Sequence, residues 1–144
     1  MKKILVILMI FAMLCGCGQS EPIENAKSEP NEWGVTLNVK DVSAVGATVV
    51  FEQLGGENFA ELSTGSYFRV EKDGKEVLQI IENVGWTAEA IIIPVGGELE
   101  MEANWEWIYG ELEPGEYVIY KEVLDFRGTG DYDRKEYSAK FKVE

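Results

Sequence analysis

The chain has 144 residues, a length typical of one folded domain. It carries 26 acidic and 13 basic side chains, and its formal net charge at pH 7 is −13. A surface this acidic repels phosphate groups, which excludes binding to nucleic-acid backbones and makes cationic partners the favoured ones. The sequence contains no histidine, so the commonest general base and metal ligand of proteins is missing.

The N-terminal segment begins with Met1-Lys2-Lys3, continues with the apolar run Ile4–Met13 and ends at Leu14-Cys15-Gly16-Cys17. This order is that of a signal peptide, and its last four residues resemble a lipobox, in which a small residue precedes the cleaved bond and the next cysteine takes a diacylglyceryl group. As a helix, an apolar run of roughly 10 to 14 residues is about 15–20 Å long, shorter than the roughly 30 Å of hydrocarbon that a membrane-spanning helix must cross. We therefore predict a lipoprotein signal peptide over residues 1–16 and a covalent lipid on Cys17.

The segment that follows is polar and contains two prolines, repeated carboxylates and one bulky apolar residue. Such a composition buries too little apolar surface to offset the entropy lost on ordering. We predict that residues 17–32 form a flexible tether, which holds a domain of residues 33–144 at the extracytoplasmic face of the cell membrane. No disulfide can form inside that domain, because both cysteines precede it.

The rest of the chain consists of short alternating segments separated by turns. The clearest one sets Leu99, Met101, Ala103 and Trp105 against glutamates, and Asp73-Gly74 between two runs predicts a tight hairpin. The predicted strands lie at residues 35–40, 47–52, 67–72, 75–80, 90–94, 98–105, 117–124 and 137–143. Seven or eight short strands without a long helical period predict an all-β sandwich or barrel.

A corner is predicted at Leu112-Glu113-Pro114-Gly115-Glu116-Tyr117. Pro114 presets one turn dihedral, and Gly115 tolerates the positive φ that a type II turn requires next. We expect Tyr117 to place its ring under the corner and to donate a hydrogen bond from its hydroxyl to the backbone a few residues upstream. The alternative is an ordinary turn beside a core tyrosine.

Three carboxylates alternate along one predicted strand at Glu98, Glu100 and Glu102, about 7 Å apart. Glycosidases use carboxylate pairs at comparable separations, which leaves a small acid-catalysed hydrolase as an alternative. An acid catalyst, however, needs a raised pKa in a pocket, and like charges on an exposed strand face are usually solvated. The sequence also lacks a Gly-x-Ser-x-Gly motif and a glycine-rich phosphate loop, so we predict that the protein is not an enzyme.

Two further groups of residues are candidate sites. Asp125, Asp131 and Asp133 surround one glycine-containing loop and predict a weak calcium site; the alternative is that Arg127 pairs with these carboxylates. Trp86, Trp107 and Tyr109 form a possible ligand face for a sugar or for peptidoglycan, the alternative being that these rings pack in the core. Trp107 should face inward with Trp105 if the strand continues through it.

The order of these segments resembles the bacterial Ig-like domain found in small lipoproteins of Gram-positive bacteria. The residues that carry the resemblance are Gly34-Val35-Thr36-Leu37, Gly46-Ala47-Thr48, Trp86-Thr87, Trp105-Glu106-Trp107-Ile108-Tyr109-Gly110, Leu112-Glu113-Pro114-Gly115-Glu116-Tyr117, Asp125 to Arg127, and Gly130-Asp131-Tyr132-Asp133. The resemblance implies an immunoglobulin-like antiparallel β-sandwich and brings no catalytic residues with it. We expect a membrane-anchored lipoprotein with no cofactor besides its lipid, which either binds a protein or cell-wall glycan partner or has a structural role at the cell envelope.

Overall fold

The computed structural model describes residues 32–55, 57 and 59–144. The predicted signal peptide, Cys17 and all but the last residue of the predicted tether lie outside the described residues. Within them the chain forms eight strands and one short helix: β1 (Val35–Lys40), β2 (Gly46–Gln53), β3 (Leu62–Lys72), β4 (Lys75–Glu76), β5 (Ile91–Ile93), β6 (Glu98–Asn104), α1 (Glu106–Tyr109), β7 (Gly115–Gly128) and β8 (Asp131–Val143).

The strands form two sheets in which every pair is antiparallel. The first sheet has the order β1-β2-β6, and the second has the order β4-β3-β7-β8 with β5 also paired to β3. This arrangement confirms the predicted antiparallel β-sandwich. Its longest ladder joins β7 to β8, from Gly115 opposite Val143 to Gly128 opposite Asp131.

The core lies between the sheets and follows the alternation of the strands. Val35, Leu37 and Val39 of β1 are fully buried, and the second sheet contributes Val70, Ile119, Val123 and Phe141 among others. Three rings join the layers at one end, since Phe141 stacks on Trp105 at 5.1 Å and on Tyr117 at 5.6 Å between ring centroids. The Trp105 indole also donates to the Ala44 carbonyl at 2.9 Å, so its one polar group is satisfied.

The Asp73-Gly74 hairpin is confirmed, but the strand predicted after it at residues 75–80 is too long. Asp73 and Gly74 have φ angles of 53° and 76°, as a type I′ turn requires, and they join Lys72 to Lys75. β4 then ends at Glu76, and residues 77–90 run as a long connection. The Ile80 amide donates to the Ile108 carbonyl at 2.7 Å, so the backbone at Ile80 is hydrogen-bonded to α1 and not to a strand of the sheet.

The strand predicted through Trp105 also ends earlier than the alternation suggests. β6 stops at Asn104, whose side-chain oxygen accepts from the Glu106 amide at 3.1 Å and favours the turn into α1. Gly110, with a φ of 74°, ends that helix. Because the backbone is helical here, Trp105 points inward and Trp107 points out, which contradicts the expectation that both face the same way.

Candidate functional site

An aromatic cluster lies where α1 meets the 77–90 connection. Trp86 contacts the rings of Tyr67, Phe68 and Trp107 with centroid separations of 5.4, 5.1 and 5.4 Å, all edge-to-face. Trp107 is 42% exposed, whereas Trp86 is half-buried. The cluster therefore presents one indole to solvent and not a flat platform of several rings.

Tyr109, the third residue of the predicted ligand face, belongs to the core. Its hydroxyl accepts from the Val70 amide at 3.2 Å and donates to the Glu76 carboxylate at 2.8 Å. Burial raises the pKa of Tyr109, and the hydrogen bond to the negative Glu76 raises it further. With both hydrogen-bonding directions used inside the protein, Tyr109 is unavailable to a ligand on this surface, which corrects the prediction.

Large aliphatic side chains are exposed on the 77–90 connection, which is hydrogen-bonded through Ile80 to Ile108 of α1, the residue after Trp107. Leu78 is 85% exposed, Ile80 is 62% exposed, and Ile81 is also exposed. We call Leu78, Ile80, Ile81 and Trp107 the apolar patch. Sequence reasoning missed it because residues 75–80 were assigned to a strand, in which alternate side chains would be buried; the signal available was the pair Ile80-Ile81, which breaks that alternation.

Tyr117 has the predicted burial and hydrogen bond, but the predicted type II turn does not form before it. Tyr117 is buried, and its hydroxyl donates to the Glu113 carbonyl, four residues upstream, at 2.7 Å. Gly115 has a φ of 156°, far from the roughly +80° of a type II turn, so that turn prediction is wrong. The reason is that Gly115 already belongs to β7, where it pairs with Val143. Pro114 lies just before the strand.

The three aspartates of the predicted calcium site lie around Arg127 at the end of the β7–β8 hairpin. The guanidinium contacts Asp125 at 2.8 Å, and Asp131 and Asp133 at 2.9 Å each. Asp125 and Asp133 stand opposite each other in the ladder, where like charges repel, and Arg127 offsets that repulsion. In the described part of the chain no group of three or more Asp, Glu, Cys or His side chains is arranged to hold a metal ion. The geometry therefore favours the alternative, in which Arg127 holds the three carboxylates.

The glutamates of β6 lie on the solvent side of the three-stranded sheet. Glu98, Glu100 and Glu102 are exposed, and Lys40 of β1 forms an ion pair with Glu100 across β2. The hydrogen bond from Lys40 lowers the pKa of Glu100, which is the wrong direction for a general acid. The hydrolase alternative required a buried carboxylate pair in a cleft, and these three residues do not form one.

Sequence reasoning did not find the most unusual charged group, Lys121 of β7. Its side chain is 1% exposed, and its ammonium group donates to the carbonyls of Gly65 and Tyr67 at 2.5 and 3.0 Å. Those carbonyls lie where the pairing of β3 with β7 is interrupted between Thr64 and Phe68. Desolvation lowers the pKa of Lys121 to about 8. The available signal was its position, two residues from the buried Ile119 and Val123 on the same strand.

In the described residues no helix has both the length and the hydropathy needed to cross a membrane. A family model for the bacterial Ig-like domain matches residues 31–142. No curated protein and no solved structure matches the chain. The family match runs from before β1 to the penultimate residue of β8 and so spans both sheets of the sandwich. This chain belongs to the bacterial Ig-like domain family.

Proposed function

We propose that this protein is a membrane-anchored extracytoplasmic lipoprotein whose Ig-like domain has a non-catalytic binding role at the cell envelope. The single observation that carries the binding role is the apolar patch, since clustered large apolar side chains in solvent mark interaction surfaces. An Ig-like β-sandwich fits a binding or structural role. The carboxylates considered for catalysis, Glu98, Glu100 and Glu102, are exposed, and Glu100 is paired with Lys40.

The anchoring part of the proposal rests on the order of the leader and on Cys17. A diacylglyceryl group carries two acyl chains, such as palmitate, and two chains give a stable anchor, whereas one chain binds membranes only weakly. Between Cys17 and Val35, an extended chain at roughly 3.3–3.6 Å per residue reaches at most about 65 Å. The domain would then sample the space just outside the membrane.

Cys17→Ser tests the anchor. We expect this variant to be released into the medium or to accumulate as an uncleaved precursor, because a hydroxyl does not replace the thiol that takes the lipid. Cys15→Ser is the matched control and should leave processing and membrane retention unchanged. Membrane fractionation with a gel-shift assay for lipidation distinguishes these outcomes. Normal retention and processing of Cys17→Ser would overturn the anchor.

A second candidate function, binding to a sugar or to peptidoglycan, is favoured by the exposed indole of Trp107. Co-sedimentation of the protein with insoluble peptidoglycan tests it. If this candidate is correct, Trp107→Ala reduces the bound fraction severalfold, and Phe126→Ala, which removes an exposed ring from the β7–β8 hairpin, does not. Equal sedimentation of both variants and the wild type would remove the candidate.

A further inference from the structure

We propose that the apolar patch is the docking surface for a basic, amphipathic segment of a partner protein. The proposal deepens the binding role above and rests on it. It specifies where on the domain the partner binds and what chemistry the partner must offer.

The exposure of the patch is the first argument. Leu78 and Ile80 lie mostly in solvent, and Trp107 is exposed on α1, to which the Ile80 amide is hydrogen-bonded at Ile108. Scattered apolar side chains are normal on protein surfaces, but several large ones on one connection and the adjoining helix are not. Tryptophan is also among the residues that contribute most to binding at protein interfaces.

The backbone beneath the patch is held in place, which is the second argument. The Val77 amide donates to the Val70 carbonyl at 3.0 Å, and the Ile80 amide donates to the Ile108 carbonyl at 2.7 Å. At the other end of the connection, the Ser66 hydroxyl donates to the Thr87 carbonyl at 3.1 Å. A surface held in this way loses little entropy when a partner binds, and so favours affinity.

The charge around the patch specifies the partner. Between Lys75 and Lys121 the sequence contains no lysine or arginine, and every charged side chain in that interval is a glutamate. Glu76, Glu82, Glu106 and Glu111 flank the patch residues in sequence and are exposed. A positively charged segment with an apolar face complements this surface, because its charges meet the carboxylates while its apolar side chains cover the patch.

The same charge disfavours other occupants. A second copy of the chain would bring another surface with the same excess of carboxylates against the first, and the formal net charge of −13 adds to that repulsion. Anionic lipid headgroups would be repelled in the same way. A basic protein segment is therefore the occupant that the observations favour.

The test uses the full chain in phosphatidylcholine nanodiscs, where either the lipid or an uncleaved leader holds it, so the assay does not depend on the anchoring proposal. The probes are a fluorescein-labelled amphipathic peptide of leucine and lysine and a peptide of the same composition scrambled to remove its apolar face. Binding is read as fluorescence anisotropy, with empty nanodiscs as the blank. We expect the amphipathic peptide to bind at least tenfold more tightly than the scrambled one.

Leu78→Ser combined with Ile80→Ser should weaken binding of the amphipathic peptide at least tenfold, since it removes two exposed apolar side chains. Phe126→Ser is the matched control, because Phe126 is about as exposed as Ile80 but lies on the β7–β8 hairpin. An unchanged melting temperature verifies that each variant is folded. Equal binding by patch variant and wild type, or equal binding of the two peptides, would overturn the proposal.

Two further outcomes would reassign the patch. Flotation of the Cys17→Ser chain with phosphatidylcholine vesicles, lost in the patch variant, would identify a lipid surface as the occupant. Self-association in sedimentation velocity that the patch variant abolishes would identify a second copy of the chain. Either result would overturn the basic partner while leaving the anchoring experiment unaffected.

Discussion

The side chains of β6 and β7 alternate between the two faces of their sheets, but only β7 carries a charged side chain on its buried face. β6 turns its glutamates outward and its apolar side chains toward the core, whereas β7 places Lys121 in line with the buried Ile119 and Val123. The difference comes from the neighbouring strand. β6 pairs with β2 in an unbroken register, while β3 interrupts its pairing with β7 and directs two carbonyls to the ammonium group. An inward charge is tolerated where an irregular neighbour supplies its hydrogen bonds.

The largest expected effect is at a regular inward position of β7. Tyr117→Ala removes a buried ring that stacks on Phe141 and leaves a cavity beside it, so we expect a loss of about 3–5 kcal/mol in the free energy of unfolding. Urea denaturation followed by circular dichroism measures it. Glu116→Ala, at the exposed neighbouring position, should change little. Similar losses for the two variants would show that the corner does not contribute specifically to stability.

The burial of Lys121 should make the stability of the protein depend on pH. The pKa of Lys121 falls from 10.5 to about 8 on folding, so the unfolded chain binds the proton more tightly than the folded protein. Stability should therefore rise as the pH rises from about 8 towards 10.5, by about 3 kcal/mol in full, since each tenfold change in proton affinity is worth about 1.4 kcal/mol. Lys121→Met should lack this rise, and Lys142→Met should retain it. Parallel curves of unfolding free energy against pH for the wild type and Lys121→Met would contradict the prediction that burial lowers the pKa of Lys121.

The stabilities of Tyr→Phe variants at Tyr117 and Tyr120 compare the inward and outward faces of β7. Tyr117→Phe leaves the Glu113 carbonyl without its donor, at an expected cost of about 1–3 kcal/mol. Tyr120, on the opposite face, lies 4.0 Å beneath the Arg69 guanidinium, an interaction that a phenylalanine ring keeps. We expect Tyr120→Phe to cost less. Equal losses in denaturant melts would show that the bond to Glu113 adds nothing to ring packing.

The smallest effect is expected at the far end of β7. Since Arg127 already contacts Asp125, Asp131 and Asp133, replacing a chelator by millimolar calcium should leave the melting temperature of the wild type unchanged. Arg127→Gln removes the competing charge and serves as the comparison. Differential scanning calorimetry with and without calcium makes the measurement. A rise in the melting temperature of the wild type would restore the calcium site.

Local signals predicted much of the fold. The bounds of β1 match the predicted strand, and β6 is one residue shorter than its prediction at the C-terminal end, because burial on one face imposes a period of two wherever the ladder is regular. Asp73-Gly74 also predicted its turn, since these residue types tolerate the positive φ that the turn requires. The predicted ligand face and calcium site agree less well with the structure, because a site depends on which distant segments come together.

The sequence by itself determined the sandwich class, the acidic surface and the inward position of Trp105, all of which follow from local patterns and composition. Only the tertiary structure decided the rest. The end of the sheet at Glu76 exposed Leu78 and Ile80, α1 turned Trp107 outward, and the irregularity of β3 gave Lys121 its partners. Each of these outcomes depends on contacts between segments far apart in the chain, such as Ile80 with Ile108 and Lys121 with Gly65, which no local periodicity encodes.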